Sequence, residues 1–169
     1  PPLPSVLPSP QVCVLTQLML DPYFRTIDGF LALIDKDVIA YGHKCADRLG
    51  FSTEGHLSHE WSPVILQLLD AVHQILLQYP AAFEFNAALL RFLAAHLYSG
   101  VVGNFLENSE HARIERHVEL SRPSIWTLIS RARPDFVNRA FQPWPLRNGV
   151  LRPACCLQRL QVRPSAPLC

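Results

Sequence analysis

Apolar residues recur along this chain with the period of helices, and no stretch before residue 141 alternates convincingly as a strand would. Residues 11–20 are dominated by an apolar run, VCVLTQLML, that Asp21-Pro22 closes. Proline disfavours helical geometry in the residue before it and has no amide to continue the ladder, so the run predicts a buried helix ending at Leu20. From Tyr23 to Tyr41 the apolar positions 23, 27, 30, 31, 34, 38 and 41 predict one helical face, with Gly29 marking a place where another backbone approaches. Gly42 and Gly50 bracket a short basic segment, HKCADRL, and residues 50–61 read as a polar loop.

Ser62-Pro63 opens the clearest helix, with Ser at the cap and Pro in the first turn. Val64, Ile65, Leu68, Leu69, Val72, Ile75, Leu76 and Tyr79 lie on one stripe, and Pro80 ends it. Phe83 to Tyr98 repeats the pattern through Phe85, Leu89, Phe92, Leu93 and Leu97 and stops at Ser99-Gly100, which predicts a helical hairpin with the preceding element. Asn108–Glu119 reads as a charged, exposed helix, and Pro123–Arg133 as a short one carrying Trp126, Leu128 and Ile129. With no Asn-Gly hairpin turn before residue 141 either, the expected fold class is mostly α.

The 169 residues amount to one domain, and the two ends shorten it. Residues 1–10, PPLPSVLPSP, form a Pro-rich lead that admits neither helix nor paired strand, though its P-x-x-P at 1–4 is a weak match to what an SH3-like groove reads. Residues 142–169 run through Pro, Arg and Cys without periodicity, an irregular tail from which a packed core is hard to build, so the folded candidate is 11–141. A formal net charge of +1 without runs of like charge argues against a nucleic-acid partner and against a strongly basic membrane patch. The chain opens on Pro with no charged-then-apolar leader and has no apolar stretch long enough to span a bilayer, which reads as a cytosolic, truncated sequence. Five cysteines, at 13, 45, 155, 156 and 169, make no C-x2-C pair, and an odd number argues against a disulfide framework.

Catalytic chemistry has little to stand on. A cysteine phosphatase needs C-x5-R, in which backbone amides and the Arg depress the thiol pKa and neutralise the phosphoryl charge. The residues six beyond Cys13, Cys45, Cys155 and Cys156 are Met19, Phe51, Gln161 and Val162. His43-Lys44-Cys45 has its Arg only three residues on, at Arg48, with no intervening Gly, so Cys45 reads as a buried structural thiol. His56 and His59 are the only close histidine pair and lack a third ligand at zinc-like spacing, so no metal and no cofactor is expected. No G-x-S-x-G or Gly-rich phosphate cradle occurs. His73 and His96 sit on apolar helices as core or boundary residues. Lys44 and Arg48, at i and i+4, share a helical face and could clamp one phosphate. Pairing with Asp47 or Asp37 on a solvated surface is the competing reading.

The string LMLDPYFRTIDGFLALIDKDVIAYGHKCADRLG at 18–50 resembles the stretch that follows the catalytic loop in the myotubularin family. The match continues in order through SPVILQLLDAVHQ, QYPAAFEFN, HLYSGVVGNFLENSEHAR and SIWTLI, about 120 residues in all. The resemblance implies the helical C-terminal part of an α/β cysteine-phosphatase domain of the PTP type. It also implies removal of the 3-phosphate from phosphatidylinositol 3-phosphate and 3,5-bisphosphate at endosomal membranes. The family's nucleophile lies in H-C-S-D-G-W-D-R-T, immediately before the block that begins here at Gln11, where this sequence has PPLPSVLPSP. No catalytic residue is therefore assigned, and the chain by itself is expected to be inactive. The family's G-H-[KR]-x-x-x-R segment reaches a phosphate of the inositol ring, which makes Lys44 and Arg48 the expected substrate contacts. Departures fall at Val38 and His73, where the family often has Trp, at Cys45 for Phe, and at Ala87 for Glu. The expected partners are phosphoinositide lipids at a membrane surface and a homo- or heterodimeric family member. The alternative is a catalytically dead adaptor that binds an active phosphatase or the lipid without turning it over.

Overall fold

Helix α1, Pro10–Leu20, forms where the apolar run predicts it and buries Val14 and Leu18. The computed structural model describes residues 10–41, 43–51, 61–142, 149–156, 158 and 160. Residues 1–9 of the Pro-rich lead and the pair His56 and His59 lie outside them. Asp21 ends α1 and starts a 3-10 turn over Pro22–Arg25, its carboxylate accepting from the Tyr23 amide at 2.8 Å.

The single helix expected over 23–41 is instead three pieces. Thr26 is extended, and its Oγ accepts from the Gly29 amide at 3.0 Å, capping a new helix α2 over Ile27–Ile34. From Asp35 to Ala40 the chain widens into a π-helix. Five-residue bonds run from the Tyr41 amide to Lys36 O at 3.0 Å and from the His43 amide to Val38 O at 3.2 Å. Widening the turn turns Val38 and Ile39 inward together, where both are buried. Gly29 does mark a close approach: a Cβ there would stand 2.0 Å from the Tyr23 carbonyl oxygen and 2.7 Å from its carbon.

Helix α3 spans Cys45–Leu49 and closes on Gly50, which takes the left-handed conformation at φ 82°. Helix α4, Val64–Gln78, carries the apolar stripe expected of it, but Pro63 rather than Ser62 occupies the cap and no side chain bonds the first amides. Helix α5 is Ala87–Leu97, capped by Asn86, whose side chain accepts from the Ala88 amide at 2.8 Å. It starts later than its pattern suggested, because Phe83 and Phe85 belong to an extended segment. There the Glu84 amide reaches Arg25 O at 3.0 Å, the Asn86 amide reaches Phe136 O at 2.9 Å, and Phe85 makes an antiparallel bridge with Val137. That bridge aside, the described residues contain no β-structure.

Four short helices follow: α6 Glu110–Glu115, α7 Val118–Ser121, α8 Ile125–Arg131 and α9 Arg133–Phe136. The expected helix over 108–119 is broken at His117, which is left-handed at φ 52°. It is also less exposed than expected, since Arg113 is buried.

Helix α1 packs on α4, α4 on α5, and α5 on both α8 and α9. Their apolar faces enclose one core, with Phe30 stacked on Phe85 at 4.6 Å between ring centroids and Phe92 against Phe136 at 5.2 Å. The tail contributes as well, contrary to expectation. Leu151 enters this core, its amide donating to Met19 O at 2.8 Å, and Ala154 exchanges two hydrogen bonds with the Gln78 side chain. Gly29→Ala is expected to cost about 2 kcal/mol by overpacking against fixed backbone. In thermal unfolding followed by circular dichroism that corresponds to a midpoint lowered by roughly 5 °C.

Candidate functional site

The basic segment sits where the π-helix hands over to α3. Wide hydrogen bonds end at His43, and the Cys45 amide turns back to His43 O at 2.7 Å, which places Lys44 at the cap of a five-residue helix. The Arg48 amide donates to Lys44 O at 3.0 Å, with Lys44 itself outside helical geometry at φ −69° and ψ 73°. Burial sorts the turn by side. Cys45, Ala46, Asp47 and Leu49 face inward, while Lys44 and Gly50 are exposed and Arg48 is half-buried.

The carboxylate that could compete is also in place. Lys44 Nζ lies 3.9 Å from Asp47 Oδ2, with the lysine side chain 56% exposed and the aspartate buried. At that length and exposure the pair is weak. Asp37 instead meets Lys36 at 3.6 Å and the Gln17 amide. The Asp47 backbone amide donates to Asn108 Oδ1 at 3.1 Å, which fixes α3 against the loop before α6.

His43 lies beside these cations. Burial, with Arg48 adding repulsion, pulls its pKa below the ordinary histidine value, so the imidazole stays neutral near pH 7 and adds no charge to the cluster. Cys45 is fully buried, and burial pushes its thiol up to about 12 although the Arg113 guanidinium pulls the other way. A nucleophilic cysteine needs the opposite shift, so the structural reading of Cys45 fits its surroundings. Among the described residues no cluster of His, Cys, Asp and Glu is arranged to hold a metal. His73 is buried in α4, and His96 packs on Phe92 with Nδ1 2.9 Å from Phe92 O.

Two buried arginines escaped the sequence reading. Arg113 reaches Ile39 O at 3.4 Å and lines a cleft of about 360 Å³ whose wall mixes both signs, with Asp35, Glu110, Arg122 and Trp126. Lys44 and Arg48 are not among that cleft's lining residues. Arg25 is wholly buried, and one of its nitrogens donates to Gly149 O. Burial lowers its pKa, with Asp21 partly restoring it. Nothing in a helical pattern distinguishes an arginine that enters the core from one that stays in water.

The described residues thus form a mostly helical unit with a basic turn at the head of α3. A family-level comparison matches residues 8–114 to the Myotubularin-like phosphatase domain, and the chain belongs to that family. Over 154 residues, 91% of the chain, it is 38% identical to the mouse phosphatidylinositol-3,5-bisphosphate 3-phosphatase MTMR4, of which it spans 13%. It is 40% identical to Xenopus laevis myotubularin over 152 residues, a quarter (25%) of that protein, and 38% identical to mouse MTMR2 over the same length. Coverage of 91% carries the similarity beyond residue 142, into the segment whose Leu151 joins the core.

Thiol reactivity checks the reading of Cys45. In native protein treated with iodoacetamide, mass spectrometry is expected to find the exposed Cys155 and Cys156 alkylated while Cys45 reacts only after denaturation.

Proposed function

We propose that this chain forms the helical, phosphate-reading part of a phosphatase domain that removes the 3-phosphate from phosphatidylinositol 3-phosphate and 3,5-bisphosphate. It does so at the cytoplasmic face of endosomal membranes, and Lys44 and Arg48 bind a ring phosphate. The observation that carries this reading is the family match combined with an exposed Lys44 at the head of α3 and Arg48 one turn on. Two cations at that spacing suit an anion with several oxygens, the guanidinium offering a fork and the ammonium a point charge. The nucleophile is not among these 169 residues: no Cys is followed six positions on by Arg, and Cys45 is buried with a raised pKa. The chain by itself therefore does not hydrolyse the ester.

Calorimetry with soluble inositol 1,3,5-trisphosphate, the headgroup without its acyl chains, tests the assignment. Lys44→Ala and Arg48→Ala are each expected to weaken binding about tenfold, the loss typical of a charged hydrogen bond. Unchanged affinity in both variants would remove the two residues from the site.

A second reading, as a non-enzymatic companion of an active phosphatase, draws on α1. Its outer side leaves Val12 and Leu20 58% and 55% exposed on either side of Thr16, two apolar points that another protein surface could cover. Co-purification with a full-length relative, lost on Val12→Glu with Leu20→Glu, is the expected result. Retention of the complex by that double variant would argue against these two points.

A further inference from the structure

The solvent side of α3 carries more than charge. Trp61 is 66% exposed, yet it is not adrift: the Ser62 amide that follows it donates to Arg48 O at 3.2 Å. Its indole stands over Gly50, with Cε2 3.4 Å and Cζ2 3.6 Å from where a Cβ would be. The ring is thereby set at the C-terminal end of α3, beside the exposed Gly50 and next to the half-buried Arg48, whose carbonyl the Ser62 amide meets. At the other end, Tyr41 is 82% exposed and only three residues before Lys44, which keeps their Cα atoms within about 11 Å. Two large exposed aromatics thus bracket two cations over a five-residue helix.

Tryptophan and tyrosine with a polar tip and an apolar body are the residues that settle at the boundary between headgroups and acyl chains, and Lys and Arg beside them meet lipid phosphates. Charge decides for a bilayer: the exposed aromatics stand at the two ends of a turn whose cations complement anionic headgroups. We propose that Tyr41 and Trp61 form an interfacial anchor that seats α3 on an anionic bilayer, so that Lys44 and Arg48 meet a headgroup phosphate with their aromatic flanks already inserted. This rests on the phosphate-binding reading above and adds the surface that carries it. Gly50 is part of the device: its φ of 82°, a conformation that L side chains rarely adopt, closes the helix where the indole rests.

The full 169-residue chain is tested by co-sedimentation with vesicles of phosphatidylcholine alone, of phosphatidylcholine with phosphatidylserine, and with a few per cent phosphatidylinositol 3,5-bisphosphate added. Soluble inositol 1,3,5-trisphosphate serves as the headgroup without a bilayer. Trp61→Ala, at an exposed site, is expected to lower partition to anionic vesicles roughly tenfold while leaving affinity for the soluble headgroup unchanged. Lys44→Ala should weaken both. Wild-type tryptophan emission should shift to the blue with anionic vesicles, and Trp61→Ala should lose that shift. If Trp61→Ala partitions like wild type, the anchor is overturned and the headgroup site can still stand. If Trp61-dependent partition persists without any binding of the soluble headgroup, the anchor stands and the headgroup site falls. A melting curve unchanged by Trp61→Ala assigns its loss of partition to the surface; a lowered one is answered by Trp61→Phe and Tyr41→Ala, either of which must reproduce the partition defect or the proposal fails.

Discussion

The Glu84 carboxylate holds the two halves of the described structure together. One oxygen accepts from the Ile27 amide at 2.8 Å, at the first turn of α2, and the other meets Arg133 Nη2 at 3.2 Å, at the start of α9. Arg133 closes the circuit through a two-pronged bond to Asp28 at 2.6 and 3.0 Å, which holds the Asp28 carboxyl below the usual carboxylate range. A negative group at a helix N-terminus satisfies an amide that the helix cannot. Because Glu84 sits on the extended segment between α4 and α5, its side chain, together with its own amide on Arg25 O, ties the start of α2 to the hairpin. The π-helix and α3 then follow from α2, so the position of the basic turn descends from Glu84.

How much of this was legible in the sequence depended on what each residue type reveals. Helices α1, α4 and α5 announce themselves because an amphipathic stripe has to be buried and proline or glycine has to end it. Phe83 and Phe85 were misassigned because the helical stripe of Leu89, Phe92, Leu93 and Leu97 extends back to Phe85, while F-E-F by itself alternates too briefly to mark a strand, and its pairing with residues 136–138, far along the chain, makes it extended. Thr26 was a readable cap that the apolar period drowned out. The left-handed turn at His117 has no comparable signature, since histidine gives no warning of it. Leu151 was missed because a single apolar residue in a Pro-rich tail has no period at all.

The basic turn was legible in another way. Spacing pointed to Lys44 and Arg48 one turn apart, and the peptide hydrogen bond between them closes that turn. Spacing could not say that Asp47, not Asp37, would be the neighbouring carboxylate, nor that His43 would be half-buried and neutral between burial and Arg48. Those depend on which side of a very short helix meets the core. Trp61 was read as loop because an exposed aromatic looks the same as a buried one until its surroundings are known.

Arg25 carries a consequence for biosynthesis. It is wholly enclosed, and its capping carbonyl belongs to Gly149, 124 residues downstream. During vectorial synthesis the first helices emerge long before that carbonyl does, so the guanidinium must remain hydrated and the core around α1 and α2 unfinished until the late segment arrives. The nascent chain would then complete this core only once the segment around Gly149 has emerged, and a message cut short before Gly149 would leave an open, chaperone-dependent intermediate rather than a smaller version of the same fold.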